Sequence, residues 1–142
     1  MSKAMIIYWS GTGNTEAMAN LILKSAKNAG LDIQIKTVSD ASSNDISEND
    51  MLVLGCPSMG DEVLEESEFE PFVESIEGML NDKKVALFGS YGWGDGEWMR
   101  NWAERMKGAG ANLVNDGLMV NEYPDGEKED ACKSFGIEIA KY

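Results

Sequence analysis

Three short apolar runs constrain this chain more than any other feature. Met5-Ile6-Ile7-Tyr8-Trp9, Met51-Leu52-Val53-Leu54 and Val85-Ala86-Leu87-Phe88 are nearly continuous in apolar character. A strand with one wet face alternates polar and apolar residues, so an unbroken run indicates burial on both faces. Between the runs lie stretches with apolar residues every three or four positions, the spacing of helices that lay one side on a core. Doubly buried strands separated by helices form a parallel α/β sheet with helices on each side. Leu31-Asp32-Ile33-Gln34-Ile35-Lys36 alternates instead, as an edge strand does, and a fifth strand is expected within Asn112 to Val120.

Four helices are expected. Asn14 to Ala29 puts Met18, Leu21, Ile22 and Ala26 on one face and stops at Gly30. Ser67-Glu68-Phe69-Glu70 has the Ser-x-x-Glu form of a capping box and precedes Phe72, Val73, Ile76 and Leu80. Pro71 fits there only in or near the first turn. Glu97 to Lys107 turns Met99, Trp102, Ala103 and Met106 inward, and the last helix, after Pro124-Asp125, carries Cys132, Phe135 and Ile139. No linker, repeat or low-complexity tract divides the 142 residues, so one domain over 1–142 is expected. Right-handed crossovers with the alternating run at an edge give the strand order 2-1-3-4-5. In such a sheet a ligand crevice lies at the carboxyl ends of the strands, where the winding reverses.

Composition narrows the chemistry. The chain has no histidine, which removes the commonest general base, the Ser-His and Cys-His nucleophile pairs and most zinc sites. Any chemistry therefore has to come with a cofactor. A net charge of −13 disfavours nucleic acid and anionic membrane surfaces and favours a partner with a basic docking face. Cys56 and Cys132 lack metal-site spacing and are expected as reduced, buried thiols. No run approaches the ~20 apolar residues of a membrane span, and Met1 to Ser10 lacks the layout of a secretory signal, so a cytoplasmic location is expected.

Ser10-Gly11-Thr12-Gly13-Asn14-Thr15 follows the first strand and opens the first helix. Hydroxyls, small residues and free amides at a helix N-terminus make an anion site. A nucleoside-triphosphate loop would end in Gly-Lys-Ser/Thr, and a dinucleotide fingerprint would need a small residue where Glu16 stands. A Cys-x5-Arg phosphatase loop is absent as well. A terminal phosphate here would be held by neutral donors and the helix dipole, leaving its charge largely uncompensated. Pro57-Ser58-Met59-Gly60-Asp61-Glu62 and Ser90-Tyr91-Gly92-Trp93-Gly94-Asp95-Gly96 follow the third and fourth strands and emerge at the same sheet edge. The glycines around Trp93 suit a loop that lays an indole flat on something planar, and Met59 is a polarisable side chain able to cover the opposite face.

These three loops, in this order, resemble those of the short-chain flavodoxins, and the likeness extends over essentially the whole chain. The resemblance implies a flavodoxin-like three-layer α/β/α sandwich with a five-stranded parallel sheet in the order 2-1-3-4-5. Flavodoxins are themselves the standard illustration of that order with FMN at the switch point, so the placement of FMN is inherited from the resemblance. It implies that Ser10, Gly11, Thr12, Gly13, Asn14 and Thr15 cradle the FMN phosphate. Trp93 would stack on the outer face of the isoalloxazine and Met59 on the inner. Ser58 belongs to the same loop; Gly60, Asp61 and Glu62 would border the N5 and N3 edge, and Ser90, Tyr91 and Gly92 the other rim. The Gly60-Asp61 peptide would flip on one-electron reduction and stabilise a neutral semiquinone. Pro57 stands where some relatives carry a hydroxyl, and no residue is carried over from Val120 to Tyr123, which should approach the ribityl chain. The connection from Asn112 to Val120 is too short for the insertion of the long-chain subclass.

The implied function is non-enzymatic: a low-potential one-electron carrier working between semiquinone and hydroquinone in place of ferredoxin. Its expected partners are ferredoxin-dependent oxidoreductases and flavodoxin reductases, with the chain itself a monomer. Each negative charge ~12 Å from the ring costs the reduced anion roughly 1.4 kcal/mol at an effective dielectric of ~20, on the order of 60 mV. Asp61, Glu62, Glu65 and Asp95 are expected to act so. From Ser58 through Asp82 there are nine acidic residues and no lysine or arginine, a patch suited to steering basic partners. The alternative is an FMN-dependent quinone or NAD(P)H reductase, which needs a substrate pocket for which this chain has little room. A phospho-acceptor receiver domain needs clustered acids after the first strand, where this loop is neutral.

Overall fold

The computed structural model describes residues 3–142. The three apolar runs form β1 (Lys3–Tyr8), β3 (Met51–Gly55) and β4 (Lys84–Tyr91), and the alternating run forms β2 (Asp32–Thr37). All pair in parallel, in the predicted order β2-β1-β3-β4 followed by the fifth position. Successive residues of each central strand point to opposite faces. Met5, Ile7, Leu52, Leu54, Val85 and Leu87 enter one core, beneath α3 (Phe69–Ile76) and α4 (Glu97–Gly108). Ala4, Ile6, Tyr8, Met51, Val53, Ala86 and Phe88 enter the other, beneath α1 (Asn14–Asn28) and α5 (Glu127–Ile139). Both cores are apolar, which is why these strands show no alternation.

The fifth strand differs from its prediction. It is two short strands, β5 (Asn112–Leu113) and β6 (Leu118–Asn121), each parallel to β4. The intervening Asn115-Asp116-Gly117 turns back on itself, with the Gly117 N–H donating to Asn115 Oδ1 at 3.0 Å. The sequence reading also missed α2 (Ser43–Ser47), a single short helix before β3. It does carry a reciprocal capping box, Ser42 with Asp45.

The capping box expected at Ser67 and Glu70 does not form. Both carboxylate oxygens of Glu65 cap α3 instead, accepting from the backbone of Ser67 at 2.9 Å, Glu68 at 2.8 Å and Phe69 at 2.9 Å, and from the Ser67 hydroxyl. Glu70 is drawn away to Arg105 on α4, whose guanidinium also takes Glu77. Glu70 makes two parallel charged bonds to the Arg105 guanidinium where a capping box would give it one to a backbone amide. Pro71 falls in the first turn, as required. Cys56 and Cys132 are free and buried; burial pushes the Cys56 thiol up to about 12 and the Cys132 thiol to about 11.

Candidate functional site

β1, β3 and β4 end side by side, with Tyr8 opposite Gly55 and Gly55 opposite Phe88. The ladder runs on into the loops: Trp9 N–H donates to Gly55 O, Cys56 N–H to Phe88 O and Ser58 N–H to Ser90 O, at 2.9 to 3.1 Å. The three predicted loops therefore leave the sheet in contact with one another. Between them lies a cleft of about 410 Å³.

The first loop organises itself. Gly13 is the N-cap of α1 at φ +96°, a conformation glycine adopts without cost. The Ser10 Oγ accepts from the N–H groups of Gly13 and Glu16, each at 3.2 Å. Thr15 is fully buried, its hydroxyl 2.8 Å from that of Ser90, and the Ser90 N–H points to the same oxygen at 3.4 Å. That pair ties the first loop to the end of β4. Glu16 accepts a hydrogen bond from Tyr8 at 3.0 Å; burial, then this carboxylate, raise the Tyr8 phenol.

Of the predicted residues, Gly11, Thr12, Asn14, Ser58, Met59, Ser90, Tyr91 and Gly92 line the cleft. Ser10, Gly13 and Thr15 stand behind them in the first loop. Gly60, Asp61 and Trp93 continue from the lining residues into solvent, and Trp93 is 63% exposed, so it does not fold back onto the core. The carboxylate of Glu62 faces away from the cleft. Its Oε1 accepts from Gly96 N–H at 3.2 Å and Glu97 N–H at 3.0 Å, at the start of α4. Met59 and Val63 close the intervening turn by exchanging two 2.9 Å backbone bonds.

Four lining residues escaped the sequence reading as site residues: Trp9, Pro57, Glu122 and Tyr123. The Trp9 ring packs against Gly11, where an added Cβ would lie 2.9 Å from it. Its position directly before the loop was the available signal. Glu122 sits at φ +61° with its N–H on Tyr91 O, a strained non-glycine conformation that nothing in the sequence marks.

No lysine or arginine lines the cleft among the described residues. One end offers neutral donors at a helix N-terminus; the other offers a methionine, aromatic rings and glycine backbone. The volume falls in the range of small-molecule sites, and the donor set fits a phosphorylated, planar, uncharged-ring ligand without a metal. The fold and cleft define a doubly wound α/β protein that binds a mononucleotide cofactor at its topological switch point.

The family follows from comparison. The sequence profile of the flavodoxin family matches residues 6–135. The chain is 56% identical to the flavodoxin of Clostridium beijerinckii over 95% of its own length and 97% of that protein. It is 48% identical to the flavodoxin of Megasphaera elsdenii, over 96% and 97% of the two chains. The solution structure of the two-electron reduced Megasphaera elsdenii flavodoxin matches with a TM-score of 0.89, covering 98% of this chain and 99% of that one. The chain belongs to the flavodoxin family, and flavodoxins are small FMN-binding electron-transfer proteins that serve redox enzymes. No helix among the described residues is long and apolar enough to cross a membrane.

Proposed function

We propose that residues 1–142 act as one unit that holds FMN in the 410 Å³ cleft and carries single electrons at low potential. The observation that carries this reading is the meeting, in one cleft, of a cation-free anion cradle and an apolar slot beside an exposed indole. Ser10, Gly11, Thr12, Gly13, Asn14 and Thr15 hold the phosphate through the α1 amides and hydroxyls. Met59 covers one face of the ring and Trp93 the other, while Ser58, Gly60, Asp61, Ser90, Tyr91 and Gly92 border its edges. Bound FMN supplies the redox chemistry; the chain orients it, shields one side and surrounds it with negative charge.

Partners are redox enzymes with basic docking faces, namely ferredoxin-dependent oxidoreductases and flavodoxin reductases, and the carrier works as a cytoplasmic monomer. The acidic stretch supports this in reduced form. Of its nine acids, Glu62 and Glu65 cap helices and Glu70 and Glu77 pair with Arg105. Asp61, Glu66, Glu68, Glu74 and Asp82 remain exposed for steering.

The test is an anaerobic reductive titration of the FMN-loaded protein. A long-wavelength absorbance band that rises toward one electron per FMN and falls toward two supports the one-electron carrier. Direct bleaching over two electrons would instead indicate the reductase chemistry.

A further inference from the structure

The first turn of α1 is tied to the sheet at two adjacent residues. Thr15 is held by the hydroxyl of Ser90, near the end of β4. Glu16 is held by Tyr8, the last residue of β1, whose hydroxyl donates to Glu16 Oε2 at 3.0 Å. Tyr8 is 7% exposed, packs in the core under α1 and α5, and pairs with Thr37 of β2 and Gly55 of β3. Glu16 is exposed and lines the neighbouring groove between α1 and the start of α5, with Gly13, Asp125 and Gly126. Neither Tyr8 nor Glu16 lines the cleft. Burial and the facing carboxylate raise the phenol, so it stays protonated and able to donate.

The bond gains its meaning from what Ser10 leaves over. A helix start presents amides with no partner inside the helix. Ser10 Oγ takes those of Gly13 and Glu16, so the N–H groups of Asn14 and Thr15 remain without an acceptor among the described residues. Those two amides are free to meet an anion. Ser10 belongs to the same loop and moves with it, so its bonds shape the cradle without setting its distance from the ring-side loops. The ties to β1 and β4 set that distance, because the ring-side loops leave the same sheet.

We infer that Tyr8 is a positioning residue: through Glu16 it sets where the free amides of α1 stand relative to the slot for the ring. This rests on the reading of the cleft as an FMN site. A ligand with both a phosphate and a ring gains from a preset spacing between their two sites, whereas one with the ring alone does not.

The experiment compares four variants: Tyr8→Phe, which deletes only the hydroxyl, Glu16→Met, Glu16→Gln, and Tyr8→Phe combined with Glu16→Met. Affinities for FMN and for riboflavin, which lacks the phosphate, are read by quenching of flavin fluorescence. Tyr8→Phe should weaken FMN about 2- to 10-fold and leave riboflavin unchanged. Glu16→Met and Glu16→Gln remove the same charge, but only the second keeps an acceptor, so the methionine variant should bind FMN more weakly than the glutamine one by a similar factor. In the Glu16→Met background, Tyr8→Phe should cost nothing further, since the bond is already gone. In the flavin-free full chain, the Ala17 amide, which donates to Gly13 O at 3.0 Å, should exchange faster in Tyr8→Phe and Glu16→Met, while amides of β3 change less. Equal losses for FMN and riboflavin would overturn the inference, because they would reduce Tyr8 to general stability. So would unchanged FMN affinity in Tyr8→Phe, or losses that add in the double variant. An unaltered chain that takes neither flavin would overturn the FMN reading itself, whereas exchange at Ala17, read without flavin, still decides whether the tether orders the α1 turn.

Discussion

In the first loop, Ser10 Oγ gathers amides three and six residues ahead of it, whereas the two ring-side loops meet through carboxylate bonds spanning 34 and 35 residues. The phosphate end is thus shaped by neighbours in the chain and pinned to the sheet by one long-range pair, Thr15 with Ser90, whereas the ring-side loops are joined to each other by partners that meet only after the sheet has formed. Locally built structure is present as soon as the helix is. Tertiary structure of the second kind depends on every element between the partners, and it opens more readily. The phosphate end is expected to be the rigid anchor and the ring end the adaptable one.

The largest effect is expected at Glu65, which caps α3 beside the ring-side turn through bonds to its own chain neighbours and so shows how far that end rests on local structure as well. Burial works against its charge, but the Ser67 hydroxyl and the amides of Phe69, Glu68 and Ser67 outweigh it and hold the carboxyl at about 2. A folded-state value below the unfolded one means stability that is present above about pH 4.5 and lost as pH falls toward 2. Glu65→Gln should therefore flatten the urea midpoint between pH 2 and 5 and remove up to about 3 kcal/mol at neutral pH. An unchanged pH profile would mean that the ring end does not rest on this carboxylate. Next is Gly94→Ala. At φ +92° its methyl would meet the Glu62 carboxylate, so about 1–3 kcal/mol should be lost and FMN release should quicken. Stopped-flow flavin fluorescence would read it.

Smaller effects are expected at the other end. Gly13→Ala has open space around the new methyl, leaving only the left-handed backbone, so roughly 1–2 kcal/mol should be lost while exchange at Gly96 and Glu97 stays unchanged. Spread of the effect to those amides would erase the contrast between the ends. Ser10→Ala should be mildest, about 1 kcal/mol in chemical unfolding, because water can replace the lost acceptor.

The same division explains what the sequence reveals. The central strands, their order and the first loop are legible because each is written in consecutive or periodic residues. Ser67 and Glu70 have the letters of a cap, yet the structure gives the role to Glu65, since Arg105 on another helix claims Glu70. Glu62 reads as one acid among nine until Gly96 and Glu97 are brought to it. Trp9 reads as the last residue of a strand until its ring is found against Gly11. The first two are decided by partners far along the chain, and the third by the turn of the backbone two residues on, none of which residue pattern encodes. The broken fifth strand is similar: Leu118 to Val120 regains its pairing only because Phe88 to Ser90 extends beyond the earlier pairing of Lys84 and Val85.

That break also has an evolutionary meaning. β5 and β6 each hold their own stretch of β4, and the turn at Asn115-Asp116-Gly117 lies outside the ladder. Added residues there would lengthen a surface loop, and doubling a loop costs only about 0.6 kcal/mol. Chain length at this seam is nearly free to drift. A descendant of this protein could therefore grow a new segment, and with it a new recognition surface, while the cofactor cleft is inherited intact.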